Sequence, residues 1–398
     1  MSEKRAVIFG AGNIGRGFLG QLFFESGYHM LFVEAKEEIV SLLNKKRAYP
    51  LWIVSDKKTE KLEISNLCAL SPKDGPAVAE AVASADLCAT AVGVNNLKDA
   101  VVLIAEGIRK RAERRRSSPL NIIICENLLS AGRFLERELK ERLPQRFHAY
   151  LKEKIGLVET VVSRMVPPTP DGLKRKEPLL VLVEPYQILP VAKDGFKGKI
   201  PEITGFVPVK NIHAYEELKL FGHNLIHAVC AYLGFQKGCQ YIWESLRNKE
   251  VHKVVSGVWG EVRLALMKKH GFSQKELDHY YRDLLRRFAN KALSDTVYRV
   301  GREPLRKLSP SDRLVGAVRL CQNFGINPQH IIFTIGAALC YNYQDDAQAK
   351  ELERLISEKG AGYVLQKISH ILPQESIYQE ILKNYKKIKD ESSTATGN

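Results

Sequence analysis

Apolar residues first gather in a short run at 5–9, Arg-Ala-Val-Ile-Phe, which stops at a glycine. Gly10-Ala-Gly12-Asn-Ile-Gly15-Arg-Gly17 follows, then a stretch of helical periodicity to Ser26 that Gly27 ends. A second apolar run, 31–33, closes on Glu34. This pattern predicts strand, glycine turn, helix, strand and acid within about 30 residues. Further strand-like runs stand at 87–92, 121–125, 158–162 and 179–183, with helical patterns between several of them. Such alternation predicts an α/β fold: a mainly parallel, doubly wound sheet of Rossmann type with helices on both faces.

The pattern changes after residue 192. Residues 193–205 are rich in Gly, Pro and Lys and read as a connector. Beyond them β-branched runs become rare and helical periodicity dominates, at 213–233, 250–269, 274–289 and 312–323. Ser309-Pro310-Ser-Asp312 reads as a helix start, with a Ser cap, Pro in the first turn and an acid close behind. The expected organisation is therefore a nucleotide-binding domain at 1–192, the connector, an all-α domain at 206–388, and a polar, frayed tail at 389–398.

Composition narrows the class. The chain has 398 residues, 45% of them hydrophobic, which suits two or three globular domains and argues against disorder. No apolar run approaches the ~20 residues of a spanning helix. The N-terminus enters a strand directly, without a secretory apolar region. Seven scattered cysteines, without a CxxC pair, read as a reduced, cytoplasmic chain without structural zinc. A net charge of +15 attracts anions. Its densest block, 109–116, has no interleaved aromatic residue and reads as the solvated end of a helix rather than a stacking surface for single strands.

Three centres carry candidate chemistry. In the first, Gly10 permits a tight turn, Gly12 lets a diphosphate approach the backbone, and Gly15 lets the helix pack against the strand. Asn13 and Ile14 complete the loop, where a helix N-terminus favours an anion. Glu34 is placed to accept hydrogen bonds from adenosine ribose hydroxyls, which favours NAD over NADP. Val92 and Gly93, after another strand, are expected at the same crevice, as is Asn127, while Cys125 reads as a buried strand residue. The second centre is Lys219-Leu-Phe-Gly-His223-Asn224-Leu-Ile-His227. On an α-helical wheel Lys219 and the two histidines share a face, with Asn224 about 140° from the lysine. Periodicity alone favours the simpler reading, an amphipathic helix with a solvated polar face. The His223/His227 spacing suits zinc, but no Glu stands between them and no Cys nearby, so no metal is expected. The third is Arg302-Glu-Pro-Leu-Arg306-Lys307 with Arg313, which reads either as an anion clamp or as surface pairing with Glu303 and Asp312.

Together and in this order, these centres resemble the polyol-specific long-chain dehydrogenases, the mannitol dehydrogenase family. The resemblance rests on 9–18, 90–93, 118–127, Val166-Pro-Pro168, 219–227 and 299–308, with the K-x4-N-x2-H pattern its most specific part. It implies an NAD-dependent, metal-independent oxidoreductase whose site lies in the cleft between a nucleotide domain and a helical domain. Lys219 would be general base in alcohol oxidation and acid in ketone reduction, a task that needs an amine with a lowered pKa. Asn127 and Asn224 would donate to the reacting oxygen. His227 would hold a substrate hydroxyl, and Glu216 would relay protons or pair with Lys219. Arg302 and Arg306, with Lys307 or Arg313, would bind a phosphate. The implied reaction interconverts D-mannitol 1-phosphate and D-fructose 6-phosphate. The chain departs from the family at Ser163, where an acid is common, at 186–189, which lacks a frequent tryptophan, and at His223, outside the signature. Alternatives within the class are free mannitol and fructose or a sugar acid such as tagaturonate or fructuronate. Outside it stands a non-catalytic nucleotide or nucleic-acid binder. A small sugar or polyol phosphate is the expected partner, with neither nucleic acid nor membrane.

Overall fold

Six parallel strands organise the N-terminal part of the computed structural model, which describes residues 4–395. They are β1 (Lys4–Phe9), β2 (Tyr28–Val33), β3 (Leu67–Leu70), β4 (Leu87–Thr90), β5 (Leu120–Ile124) and β6 (Ile155–Glu159). Their order is β3-β2-β1-β4-β5-β6, with every pairing parallel. This is the doubly wound order whose direction reverses between β1 and β4, and ligands bind outside the carboxyl ends at such a reversal.

The sheet forms because its strands are apolar on both faces. Along β1, Ala6 and Ile8 join a core with Phe18, Leu22 and Phe32, while Val7 and Phe9 join another with Ile104, Ile108 and Leu135. Successive side chains of a strand point to opposite faces, so such a run is stable only when helices cover both sides.

Two smaller sheets depart from the sequence reading. Tyr49–Val54 pairs antiparallel with Thr59–Ile64 and parallel with Val181–Val183, so the run at 179–183 does not join the large sheet. Leu189–Ala192 pairs with Phe206–Val209 across the expected connector.

The chain divides into two compact units, Met1–Tyr215 and Glu216–Asn398. The second is helical. Leu225–Gln236 is buried on nearly every side, and Lys249–His270 and Gln274–Phe288 follow it. Gly271 ends the former at φ +72°, and Ser273 starts the latter with a reciprocal cap, its Oγ accepting from Glu276 N–H while the Glu276 carboxylate accepts from Ser273 N–H at 2.8 Å. No helix among the described residues is long and apolar enough to cross a membrane.

Three local expectations are corrected. The helix expected from 312 begins at Val315 (Val315–Asn323), and Asp312, ahead of it, pairs with Arg306 and Arg313. The polar residues 389–395 continue the helix Ser376–Ala395 rather than fray, while 396–398 lie outside the described residues. The 109–116 block is not wholly solvated. Arg111 is fully buried and donates to Ala83 O, Ala85 O, Ser118 O and Oγ, and Pro119 O, at 2.9–3.3 Å. Arg109 pairs with Glu106 and Glu113, and Arg114 with Glu80 at 2.6 Å. Of this block, Arg109 and Arg114 thus pair with carboxylates of the chain itself, and Arg111 braces backbone carbonyls.

Candidate active site

The nucleotide unit holds a cavity of about 690 Å³ at the carboxyl ends of β1, β2 and β4. Gly10, Gly12, Asn13, Glu34 and Val92 line it, whereas Ile14, Gly15 and Gly93 do not. Gly10 adopts φ +96°, and a Cβ there would lie 2.5 Å from Ala91 O. A Cβ on Gly15 would collide with Gly10 O. A Cβ on Gly12 meets no protein atom within 4 Å. Packing therefore requires glycine at 10 and 15, but at 12 it merely leaves cavity space free. A loop shaped in this way suits a dinucleotide diphosphate.

Glu34 is tied to that loop. Its Oε2 accepts from Ala11 N–H at 2.9 Å, and its Oε1 from Lys36 N–H at 3.0 Å. The acid thus fixes the turn it was expected to serve. On the far side Glu126, after β5, accepts from Val92 N–H and Gly93 N–H, both at 2.9 Å. Burial raises its pKa, opposed by those two bonds and by Thr90. Asn127, next in sequence, is exposed, and Cys125 is buried with Sγ 3.3 Å from Thr160 Oγ1.

In the helical unit the decisive feature is a widened turn. Residues Leu218–Asn224 form a π-helical segment, with Leu225 N–H donating to Leu220 O, five residues back. Lys219 and Asn224 are also five apart. An i→i+5 repeat places them on one face, where an α-helix would separate them. Both are half-buried.

One turn on, the histidines leave solvent. His223 and His227 are 6% and 8% exposed, and His227 stacks on Phe288 with ring centroids 4.2 Å apart. His227 Nε2 lies 2.7 Å from Asp295 Oδ2, while Asp295 Oδ1 also holds Arg299. Burial opposes the Asp295 charge, yet His227 and Arg299 keep its carboxyl below the usual range. Burial lowers the pKa of His227 against the pull of Asp295. His223 is pushed well down by burial and by Arg287, and its Nδ1 has no hydrogen-bond partner. Two buried imidazoles packed on a phenyl ring are not a solvated face. Among the described residues no group of three or more His, Cys, Asp or Glu is placed to hold a metal ion.

The third centre is a mixed-charge knot. Arg306 donates to Glu303 at 2.8 Å and to Asp312 at 2.9 Å, and Arg313 pairs with the other Asp312 oxygen. Arg302 is exposed. Lys307 is buried, donates to Arg302 O, and has its pKa lowered to about 7, chiefly by burial and then by Arg313 and Arg306. Between about pH 7 and the ordinary lysine range, the unfolded chain binds the extra proton, so this group's contribution to stability rises with pH there. In urea titrations the stability of wild type relative to Lys307→Met is expected to increase from pH 7 to pH 9. An unchanged difference would place the amine in ordinary solvent.

Sequence reasoning missed Asp295, Phe288 and Glu126. Asp295 is 68 residues from His227 and carries no local signal.

Comparison with known proteins adds the following. The model of the mannitol dehydrogenase Rossmann domain matches residues 4–205, and that of the mannitol dehydrogenase C-terminal domain matches 211–395. A mannitol-1-phosphate 5-dehydrogenase of Thermoanaerobacter pseudethanolicus is 37% identical over 389 residues, covering 97% of this chain and 98% of that protein. One of Caldanaerobacter subterraneus is 36% identical over 385 residues, with 97% and 98% coverage. Among solved structures, Pseudomonas fluorescens mannitol 2-dehydrogenase with NAD and D-mannitol matches with TM-score 0.73 and 16% identity, over 99% of this chain and 94% of that one. A substrate-free D-sorbitol dehydrogenase matches with TM-score 0.81 and 16% identity, over 98% and 94%. At that identity the solved structures speak to fold.

Proposed function

The chain belongs to the mannitol dehydrogenase family of oxidoreductases, and within it we propose that it interconverts D-mannitol 1-phosphate and D-fructose 6-phosphate with NAD as hydride carrier and no metal. The observation that carries the chemistry is the π-turn that aligns Lys219 with Asn224. The substrate assignment draws on the two relatives above and on the Arg302–Arg313 cluster. The cofactor assignment draws on the glycine loop and on Glu34 beside the cavity, which disfavours a 2′-phosphate.

Bound NAD supplies the hydride acceptor in the oxidative direction. Lys219 takes the hydroxyl proton as the carbinol is oxidised and returns it to the oxygen in ketone reduction. The Asn224 amide donates to that oxygen. His227 has Nε2 committed to Asp295, so Nδ1 is the nitrogen left to orient a substrate hydroxyl. Arg302 supplies the first contact to phosphate, and Arg306 shares itself between Glu303, Asp312 and that phosphate.

Two measurements check this. NADH absorbance at 340 nm is expected to fall with fructose 6-phosphate and far less with fructose; equal rates with both would exclude a phosphate subsite. Arg302→Ala is expected to raise KM for fructose 6-phosphate about tenfold while leaving the slow rate with fructose unchanged, since one charge-assisted contact is lost.

A further inference from the structure

We propose that Arg16 is a ligand of the cofactor's diphosphate, a role that rests on the dinucleotide reading above. Arg16 is the second residue of another π-helical turn, Gly15–Leu19, closed by Gly20 N–H donating to Gly15 O. Its side chain is 8% exposed and lines the 690 Å³ cavity. Nε donates to Ala11 O and Nη1 to Leu179 O, both at 2.6 Å. Nη2 makes no hydrogen bond with the described residues and is not among the buried unpaired atoms, so it is the corner of this cavity-lining guanidinium left open to a ligand.

The charge balance points the same way. The hydrogen-bonded partners of Arg16 are neutral carbonyls, the Tyr49 ring lies 5.8 Å from it, and Glu34 acts only through space. Burial accordingly lowers its pKa. A cation held this way is costly unless an anion approaches it. The Glu34 carboxylate is already occupied by Ala11 and Lys36 N–H groups. A diphosphate over the 10–13 turn would bring negative charge to the free corner, and guanidinium and phosphate match in geometry. Arg111 shows the contrasting case: also buried, it spreads its donors over five chain oxygens and lines no part of this cavity.

The test is NADH fluorescence titration of wild type, Arg16→Gln and Arg16→Lys, with ADP-ribose and adenosine as competitors and thermal midpoints as a check on folding. In Arg16→Gln, NADH and ADP-ribose are expected to bind about tenfold or more weakly, with adenosine within about twofold of wild type. Arg16→Lys keeps a charge and is expected to lose less ADP-ribose affinity than the Gln variant, again sparing adenosine. Unchanged NADH affinity in Arg16→Gln overturns the assignment. So does a loss shared equally by adenosine and ADP-ribose in either variant, which would make Arg16 only a brace for the loop. If Arg16→Gln does not fold, the Lys variant alone decides by the same ratio. Wild-type protein that binds no NADH would instead overturn the dinucleotide reading, and this inference with it.

Discussion

Lys219→Ala is expected to lower kcat by about 10²–10⁴-fold, the usual contribution of a positioned acid–base group, while NADH affinity stays within about twofold of wild type. Lys219 sits in the π-turn of the helical unit, whereas the residues assigned to the cofactor lie in the nucleotide unit, so proton transfer and cofactor binding are carried by different units. The fall belongs in kcat and kcat/KM together, because proton transfer is realised only in the transition state. The pH profile should lose its lysine-dependent limb, and added small primary amines should restore part of the rate. Asn224→Ala tests the same face from the other side: it leaves the base intact but removes a donor to the developing charge, for about a 10²–10³-fold loss. A Lys219→Ala enzyme turning over at the wild-type rate would assign the base elsewhere and leave the π-turn without a chemical task.

What the sequence discloses and what it hides follow from the range of each interaction. The glycine loop and Glu34 are legible because a turn and the strand that closes it are local: Gly10, Gly15 and Glu34 each have a backbone reason for their type, while Gly12 leaves cavity space free. The six-stranded sheet is largely legible because its strands are apolar on both faces. The hairpin Tyr49–Val54 with Thr59–Ile64 is not. Pro50 interrupts one run, and the other is mostly exposed and charged, so neither reads as a strand. Lys219, Asn224 and His227 are found by pattern, but their geometry is not, because a wheel assumes 3.6 residues per turn. The one-residue widening that brings Asn224 to the lysine has no sequence signature. Asp295 behind His227 and the carbonyl cage of Arg111 are products of tertiary packing: a run of arginines looks the same whether solvated or swallowed.

Gly12→Ala and Gly15→Ala are expected to fail in opposite ways, although the substitution is identical. At position 15 the new methyl runs into Gly10 O, in the loop that follows β1. Backbone cannot yield there without moving β1 or the π-turn, so a loss of about 3 kcal/mol or more is expected, read as a lower urea midpoint of the nucleotide unit. At position 12 the methyl enters the cavity and touches no protein atom. Stability should hold within about 0.5 kcal/mol, and alanine even restricts the unfolded chain slightly. NADH affinity should nevertheless fall by about tenfold to a hundredfold, because the methyl occupies the space through which a diphosphate reaches the loop N–H groups. The contrast separates a residue kept for the fold from one kept for a ligand. Full NADH affinity in Gly12→Ala would move the diphosphate off this loop, and the roles assigned to Glu34 and Arg16 would have to move with it.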